Sequence, residues 1–128
     1  MTVSVKEDSY IEKAEKLAAY FAEDAAERDQ LGGTPKKQKD KIRESGLLNL
    51  LIPKEYGGEG QEWSTALKIV REFSKTDAAL GHLYGYHSIF VSDLQRKGTL
   101  EQQAYFYPQS VRQNAFWGNS SNPLNNTL

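Results

Sequence analysis

The sequence has 128 residues, the length of one ordinary domain, which excludes two separate hydrophobic cores of normal size. Hydrophobic residues make up 38% of it without a long apolar run, so no membrane span is predicted. Sixteen basic and 17 acidic side chains give a net charge of -1, which argues against a nucleic-acid-binding surface. Without cysteine there are no disulfides or thiolate metal sites, and without a signal-like start the expected location is cytoplasmic.

The first predicted element is a long amphipathic helix. Apolar residues recur at three- and four-residue steps from residue 9 to residue 28, as one buried helix face requires. Asp8 or Ser9 is expected to cap its start. Asp24 and Arg28 lie one turn apart, and we expect them to form a pair on the solvent-exposed side.

A second helix is predicted from Thr34-Pro35 to about Ser45. A capping hydroxyl precedes a proline that suits the first helical position, and a glycine follows the last residue. Residues 47–52 are a short apolar run closed by Pro53 and three glycines. This pattern predicts an extended segment that enters a tight loop.

Three further helical segments follow. Helical spacing of apolar residues predicts one helix over residues 63–75 and a longer one over residues 77–97. Thr99 and Gln102 fit a capping box, which predicts the start of another helix. Pro108 is expected to kink or split that helix, because proline lacks the amide N–H and clashes with the preceding turn.

The C-terminal residues differ from the rest of the chain. Residues 115–119 read AFWGN and predict a strand, and the remaining residues are polar. A strand with no partner in the chain leaves backbone groups that need hydrogen bonds from elsewhere. We therefore predict a helical domain over residues 1–114, with about five or six helices, and the start of a truncated β-domain over residues 115–128.

The predicted helix over residues 77–97 has three distinct faces. A broad apolar face contains Leu80, Leu83, Tyr84, His87, Phe90, Val91 and Leu94. A strip of small residues beside it contains Gly81, Gly85, Ser88 and Ser92, and it predicts the close approach of another helix or a ligand. The third face contains His82, Tyr86, Ile89 and Asp93.

Two histidines on this helix are candidates for chemistry. His82 and Tyr86 are four residues apart, so they can present an imidazole and a phenol to one bound molecule. The alternative is a partly exposed pair that shields a hydrophobic seam. His87 lies within the apolar face, which favours a hydrogen-bonded core histidine over a catalytic one. No third ligand lies near the histidines, so no metal site is predicted.

Three segments carry a family resemblance. Residues 45–60 read SGLLNLLIPKEYGGEG, residues 77–80 read DAAL, and residues 98–103 read GTLEQQ. In this order and spacing they resemble the N-terminal helical domain of the acyl-CoA dehydrogenase superfamily of flavoproteins. The resemblance implies an all-α bundle of that type and, in the intact protein, a homo-oligomer that is generally a tetramer.

The last segment narrows the resemblance to one branch. Residues 116–124 read FWGNSSNPL where dehydrogenases usually show Thr-Glu-Pro, and they are similar to the Trp-Gly-Asn segment of the dibenzothiophene monooxygenase and sulfur-acquisition branch. Those enzymes bind reduced FMN from a separate flavin reductase and use O2 to oxygenate a small, often organosulfur, substrate. By this resemblance His82 and Tyr86 are catalytic. The predicted cofactor contacts are Trp117, Asn119, Ser120 and Ser121, and the predicted substrate contacts are His87 and Ser88.

Two alternative functions stay open. An FAD-dependent acyl-CoA dehydrogenase fits the glycine-turn region equally well, and a non-enzymatic helical binding module fits the length of the chain. In the superfamily the flavin lies between this domain, the following β-domain and the C-terminal helices. We therefore expect the 128-residue chain alone to bind flavin weakly or not at all, and to be inactive.

Overall fold

The structure, a computed structural model, describes residues 2–119 and the side chains from residue 6 onward. Six α-helices form this part of the chain: α1 (Thr2–Ala22), α2 (Ala25–Leu31), α3 (Lys36–Ser45), α4 (Trp63–Thr76), α5 (Ala78–Lys97) and α6 (Leu100–Gln113). Two 3₁₀ turns, Leu47–Asn49 and Lys54–Tyr56, lie between α3 and α4. No strand occurs between residues 2 and 119, so the predicted all-α bundle is confirmed.

The core is formed where α1 and α5 both pack against α4. Phe21 of α1, Phe73 of α4 and Tyr84 of α5 are fully buried. Their rings meet edge to face, with centroid distances of 5.1 Å and 5.3 Å. These aromatic contacts join α1, α4 and α5 into one hydrophobic core.

The predicted first helix is wrong in its bounds. Residues 23 and 24 form a turn that divides it into α1 and α2, and the expected caps Asp8 and Ser9 lie inside α1. The apolar periodicity continues across this turn, which is why the sequence pattern did not indicate the break.

Arg28 bridges the break between α1 and α2. Its guanidinium donates to the carboxylates of Asp24 at 2.7 Å and Asp77 at 2.6 Å, and to the carbonyl of Phe21 at 2.9 Å. That carbonyl is among the last of α1, which have no partner within the helix. The Asp24–Arg28 pair forms as predicted, but the side chain of Arg28 is only 20% exposed. The expected solvent-facing pair is therefore a structural bridge from α2 to the start of α5.

The segment after α3 is compact and not extended as predicted. Gly46 ends α3 in the left-handed conformation, and Pro35 lies at the cap position one residue before the helix. Five apolar side chains follow and are all buried: Leu47, Leu48, Leu50, Leu51 and Ile52. An extended strand would send alternate side chains to opposite faces. The 3₁₀ turn instead lets the surrounding helices cover all five.

The predicted tight loop after this segment is confirmed. The amides of Gly58 and Gly60 donate to the carbonyls of Pro53 and Ile52 at 3.2 Å and 2.9 Å. A Cβ at Gly58 would lie 2.0 Å from the Ile52 carbonyl oxygen, so no other residue fits there. Tyr10 of α1 fastens the loop by donating to Glu59 at 2.5 Å. Burial, together with this carboxylate, raises the pKa of Tyr10 to about 12.

The last three helices begin as predicted. The Asp77 carboxylate caps α5 by accepting from the Leu80 amide at 3.1 Å, and both hydrogen bonds of the Thr99–Gln102 capping box are present. Pro108 does not split α6, which continues through it as one helix, so of the predicted kink or split the split is wrong and the kink stays a prediction. Packing outweighs the lost amide, because the neighbouring Tyr107 is buried and donates to the Val91 carbonyl of α5 at 2.5 Å.

The strip of small residues on α5 faces α4. A Cβ at Gly81 would lie 2.0 Å from Ser74 Oγ and 3.1 Å from the Ser74 backbone nitrogen. A Cβ at Gly85 would lie 3.7 Å from Val70, an ordinary packing distance. The predicted close approach is thus made by another helix, and Gly81 is its tightest point.

These distances predict opposite effects for two glycine substitutions on α5. Gly81→Ala should lower the free energy of unfolding by about 1–2 kcal/mol, because α4 and α5 must separate to admit the methyl group. Gly85→Ala should raise it by up to about 1 kcal/mol, because alanine favours the helix and meets no clash. Urea unfolding followed by circular dichroism measures both. Equal effects of the two substitutions would contradict the close approach at Gly81.

Removal of the Arg28 bridge should also destabilise the fold. Arg28→Met should lower the free energy of unfolding by about 2 kcal/mol, because it leaves the Asp77 carboxylate, only 9% exposed, without its cation. Lys41→Met is the matched control, because Lys41 and Glu44 form an exposed pair at 3.1 Å. The control should unfold at nearly the wild-type urea concentration. If both variants do so, Arg28 does not stabilise the junction.

Candidate functional site

The exposed side of α5 carries His82, Tyr86, Ile89 and Phe90, which we call the α5 strip. The rings of His82 and Tyr86 stack with centroids 4.5 Å apart and planes inclined by 24°. The Tyr86 and Phe90 rings lie 5.9 Å apart. Tyr86 and Ile89 are each 42% exposed. The pair predicted from the four-residue spacing therefore forms, and it is presented on the surface of the bundle.

The stacked pair combines two kinds of polar group with an apolar surround. An imidazole can accept, donate or carry a proton near neutral pH, and a phenol can donate or accept a hydrogen bond. Stacking holds the His82 and Tyr86 rings nearly parallel. Ile89 and Phe90 add apolar surface beside them. Such a surface suits a flat, largely apolar molecule with polar edges. The catalytic roles of His82 and Tyr86 stay a prediction.

His87 lies on the opposite side of α5, inside the bundle. It is 2% exposed, and its Nε2 lies 2.7 Å from the Leu48 carbonyl oxygen. Its Nδ1 accepts from the Trp117 backbone amide at 3.0 Å. Both ring nitrogens therefore have partners within the chain. This geometry matches the core-histidine interpretation that the apolar face of α5 favoured.

Burial also keeps His87 uncharged. Desolvation lowers the pKa of His87 to about 4, although the bond to the Leu48 carbonyl opposes the shift. Ser88 is buried as well, and its hydroxyl donates to the Tyr84 carbonyl at 2.9 Å. Neither side chain reaches the surface of the described chain. The geometry thus favours structural roles for both over the predicted substrate contacts.

Residues 115–119, which we call the terminal segment, are not a strand. The amide of Trp117 bonds to a side chain of α5 and not to a neighbouring strand, and the truncated β-domain over residues 115–128 stays a prediction. The Trp117 indole donates to Ser110 Oγ at 2.8 Å, and its ring lies 6.1 Å from that of Tyr107. Side chains of the helices thus supply the hydrogen bonds that a lone strand would lack.

Phe116 anchors the terminal segment to α5 and to one further helix, α3. Its ring meets that of His87 edge to face at 5.7 Å. On α3, the cationic groups of Arg43 and Lys39 lie 5.1 Å and 5.4 Å from its centroid. These cation–π contacts hold the segment against α3 as well as α5.

The predicted cofactor contacts are placed unequally. Trp117 is half-buried and bonded to α6, and Asn119 is exposed two residues further along. Ser120 and Ser121 lie outside the described residues. The structure therefore unites His82 with Tyr86 and, separately, His87 with Trp117. Sequence reasoning missed the second pair, because residues 30 positions apart show no periodic signal.

The surface of the described chain also has a sizeable hollow at a different place. A cavity of about 760 Å³ lies beside α2 and the start of α5, where Arg28, Lys75 and Asp77 line it among small residues. None of the predicted site residues borders it. Between residues 2 and 119 we find no group of three His, Asp or Glu side chains that could hold a metal ion. In the same range, none of the helices is both long and apolar enough to cross a membrane.

Comparison with known proteins identifies close relatives of the chain. The probable FMNH2-dependent monooxygenase SfnC of Pseudomonas putida is 40% identical over 111 residues, which are 87% of this chain and 28% of SfnC. Methanesulfinate monooxygenase MsuC from Pseudomonas fluorescens superposes with a TM-score of 0.84 at 46% identity, over 89% of this chain and 30% of MsuC. The chain thus spans less than a third of the length of these relatives.

A third relative was solved with a flavin. TdsC from Paenibacillus sp. A11-2, a dibenzothiophene monooxygenase, was crystallised with FMN and indole. It superposes with a TM-score of 0.82 at 44% identity, over 84% of this chain and 27% of TdsC. Residues 6–114 match the family described as acyl-CoA dehydrogenase, N-terminal domain. The chain belongs to the acyl-CoA dehydrogenase N-terminal domain family.

Proposed function

We propose that the chain is the N-terminal domain of a reduced-FMN-dependent monooxygenase that oxygenates a small organosulfur compound. The observation that carries the proposal is the stacked, exposed His82–Tyr86 pair on α5, four residues apart on one face. The relatives support it, because SfnC, MsuC and TdsC are each described as monooxygenases.

The α5 strip fits a flavin in its chemistry. A flavin is a flat ring system with an apolar body and polar edges, which matches exposed aromatic surface beside an imidazole and a phenol. Reduced FMN would supply the electrons that activate O2, and a cofactor of this kind performs the redox chemistry itself. The residues of this chain would bind it, orient it and move protons beside it. Asn119 is proposed to contact the flavin from the terminal segment.

His82 and Tyr86 would have separate roles in the proposed reaction. His82 would deliver or hold a proton at an imidazole nitrogen, which is the usual role of a histidine in acid–base catalysis. Tyr86 would donate a hydrogen bond from its hydroxyl and keep the imidazole plane fixed through the stack. Ile89 and Phe90 would reduce the access of water beside the pair. His87 and Ser88 would affect the substrate only indirectly, because their side chains are hydrogen-bonded to backbone groups and fix the position of that backbone.

The proposed reaction involves a second enzyme, the rest of the polypeptide and further copies of the same protein. Because FMN must arrive reduced, a separate flavin reductase is required, and we place the reaction in the cytoplasm where such a reductase would operate. The rest of the polypeptide would complete the flavin site, since the chain spans 28% of SfnC. A homo-oligomer, as the superfamily resemblance implies, is part of the same proposal.

The proposal is tested with the full-length protein that contains this chain. Supplied with FMN, a flavin reductase and a set of sulfides and sulfinates, it should incorporate one oxygen atom from labelled O2, as measured by mass spectrometry. Retention of FAD together with oxidation of an acyl-CoA would replace the proposal with the dehydrogenase alternative. Tight binding of a protein partner with no flavin chemistry would favour the binding-module alternative.

Substitutions on α5 test the assigned roles. His82→Phe keeps a ring for the stack but removes both nitrogens, and it should lower the oxygenation rate about 100-fold. Tyr86→Phe removes one hydroxyl and should lower the rate about tenfold, with a larger share of the consumed O2 released as hydrogen peroxide instead of being incorporated into the substrate. Tyr105→Phe is the matched control, because Tyr105 is an exposed phenol on α6. Wild-type rates in both α5 variants would remove the pair from the reaction.

A further inference from the structure

His87 joins three distant parts of the chain at one imidazole ring. From α5 it reaches the Leu48 carbonyl, 39 residues earlier, and the Trp117 amide, 30 residues later. Its ring is buried and lies against Phe116. No other hydrogen bond described here connects the backbone of Trp117 to α5.

The two hydrogen bonds fix where the single proton of the imidazole lies. A backbone amide can only donate, so Nδ1 must accept from Trp117 and carries no proton. The proton therefore lies on Nε2, which donates to the Leu48 carbonyl at 2.7 Å. Only the neutral ring in this one tautomer satisfies both partners.

The other anchors of the terminal segment act on side chains. The Phe116 ring contacts His87 and the cationic groups of Arg43 and Lys39, and the Trp117 indole bonds to Ser110. An aromatic ring can slide or rotate over its partners at modest cost. The bond to His87 is different, because it fixes a backbone atom and with it the direction of the chain.

We propose that His87 is a positioning residue whose Nδ1 holds the Trp117 backbone and so sets the path of the chain from α6 to Asn119. This explains why a polar side chain lies in the apolar face of α5. The consequence for flavin binding, through Asn119, rests on the proposed function. The hydrogen bond that fixes the Trp117 backbone does not depend on the proposed function.

The buried surroundings of His87 favour the neutral ring. Tyr84 on α5, the Leu48 carbonyl and Phe116 contact the ring, and the cationic groups of Arg43 and Lys39 on α3 contact the Phe116 ring. Burial holds the pKa of His87 at about 4, below its ordinary value of 6.5. When the segment opens, the exposed ring regains its ordinary pKa. Opening is therefore hardest above pH 6.5 and becomes easier as the pH falls from 6.5 towards 4.

Two substitutions of His87 separate its two hydrogen bonds. In His87→Asn the carboxamide oxygen can take the place of Nδ1 and keep the acceptor for Trp117, while the contact with Leu48 is lost. In His87→Gln the amide group can take the place of Nε2 and keep the donor to Leu48, while the acceptor is lost. Amide hydrogen exchange of Trp117, measured by NMR, is the readout. His87→Gln should lower its protection about tenfold or more, and His87→Asn should keep most of it.

Tyr84→Phe is the matched control. The Tyr84 hydroxyl donates to the Leu47 carbonyl at 2.9 Å, one residue from the partner of His87, and its loss does not touch Trp117. Trp117 protection should therefore be unchanged in this variant. Equal protection in His87→Asn and His87→Gln, or equal loss in Tyr84→Phe and His87→Gln, would overturn the proposal.

The wild-type chain provides a test that needs no substitution. The protection of the Trp117 amide should fall between pH 6.5 and pH 4 relative to that of Ile69 in the core of α4, and His87→Asn should abolish this dependence. Parallel behaviour of the two wild-type amides would overturn the proposal. In the full-length protein, His87→Gln should raise the KM for reduced FMN more than it lowers kcat. If only this last result fails, the proposed function is at fault and the hold on Trp117 stands.

Discussion

The fixed rotation of α5 about its own axis is the constraint on which the rest of the structure depends. On one side, α4 packs so closely against Gly81 that the space between the two helices does not accommodate a Cβ atom. On the other, Tyr84 and His87 bond to the carbonyls of Leu47 and Leu48. A helix held at two faces cannot turn, and the remaining face must point outward. That face carries His82 and Tyr86, so core packing determines the geometry of the candidate site.

Much of the fold could be predicted from the sequence, because it follows from local patterns. Helix periodicity, the capping box at Thr99 and the glycine that ends α3 each depend on residues within one or two turns. The four-residue spacing of His82 and Tyr86 is equally local. The strip of small residues on α5 also predicted the close approach of a neighbour, although the sequence left open whether a helix or a ligand would fill the space.

The errors arise where distant groups satisfy the backbone. The break before Ala25 is bridged by the Arg28 side chain, and an unbroken apolar pattern hides it. Residues 115–119 have the composition of a strand, but the hydrogen bonds that decide their structure come from His87 and Ser110. Pro108 fails to split α6 because buried side chains hold the helix on its inner face. None of these partners has a fixed sequence spacing, so no periodicity indicates them.

The 3₁₀ turn at Leu47–Asn49 has a consequence for how the chain reaches its native state. Two of its carbonyls accept from side chains of α5 that follow 37 and 39 residues later. A peptide covering the turn alone lacks those donors and buries none of its leucines, so it has little reason to hold this shape. Closing a loop of that length precedes any gain from the bonds. We therefore expect this turn to become ordered only together with α5, which supplies both hydrogen-bond donors.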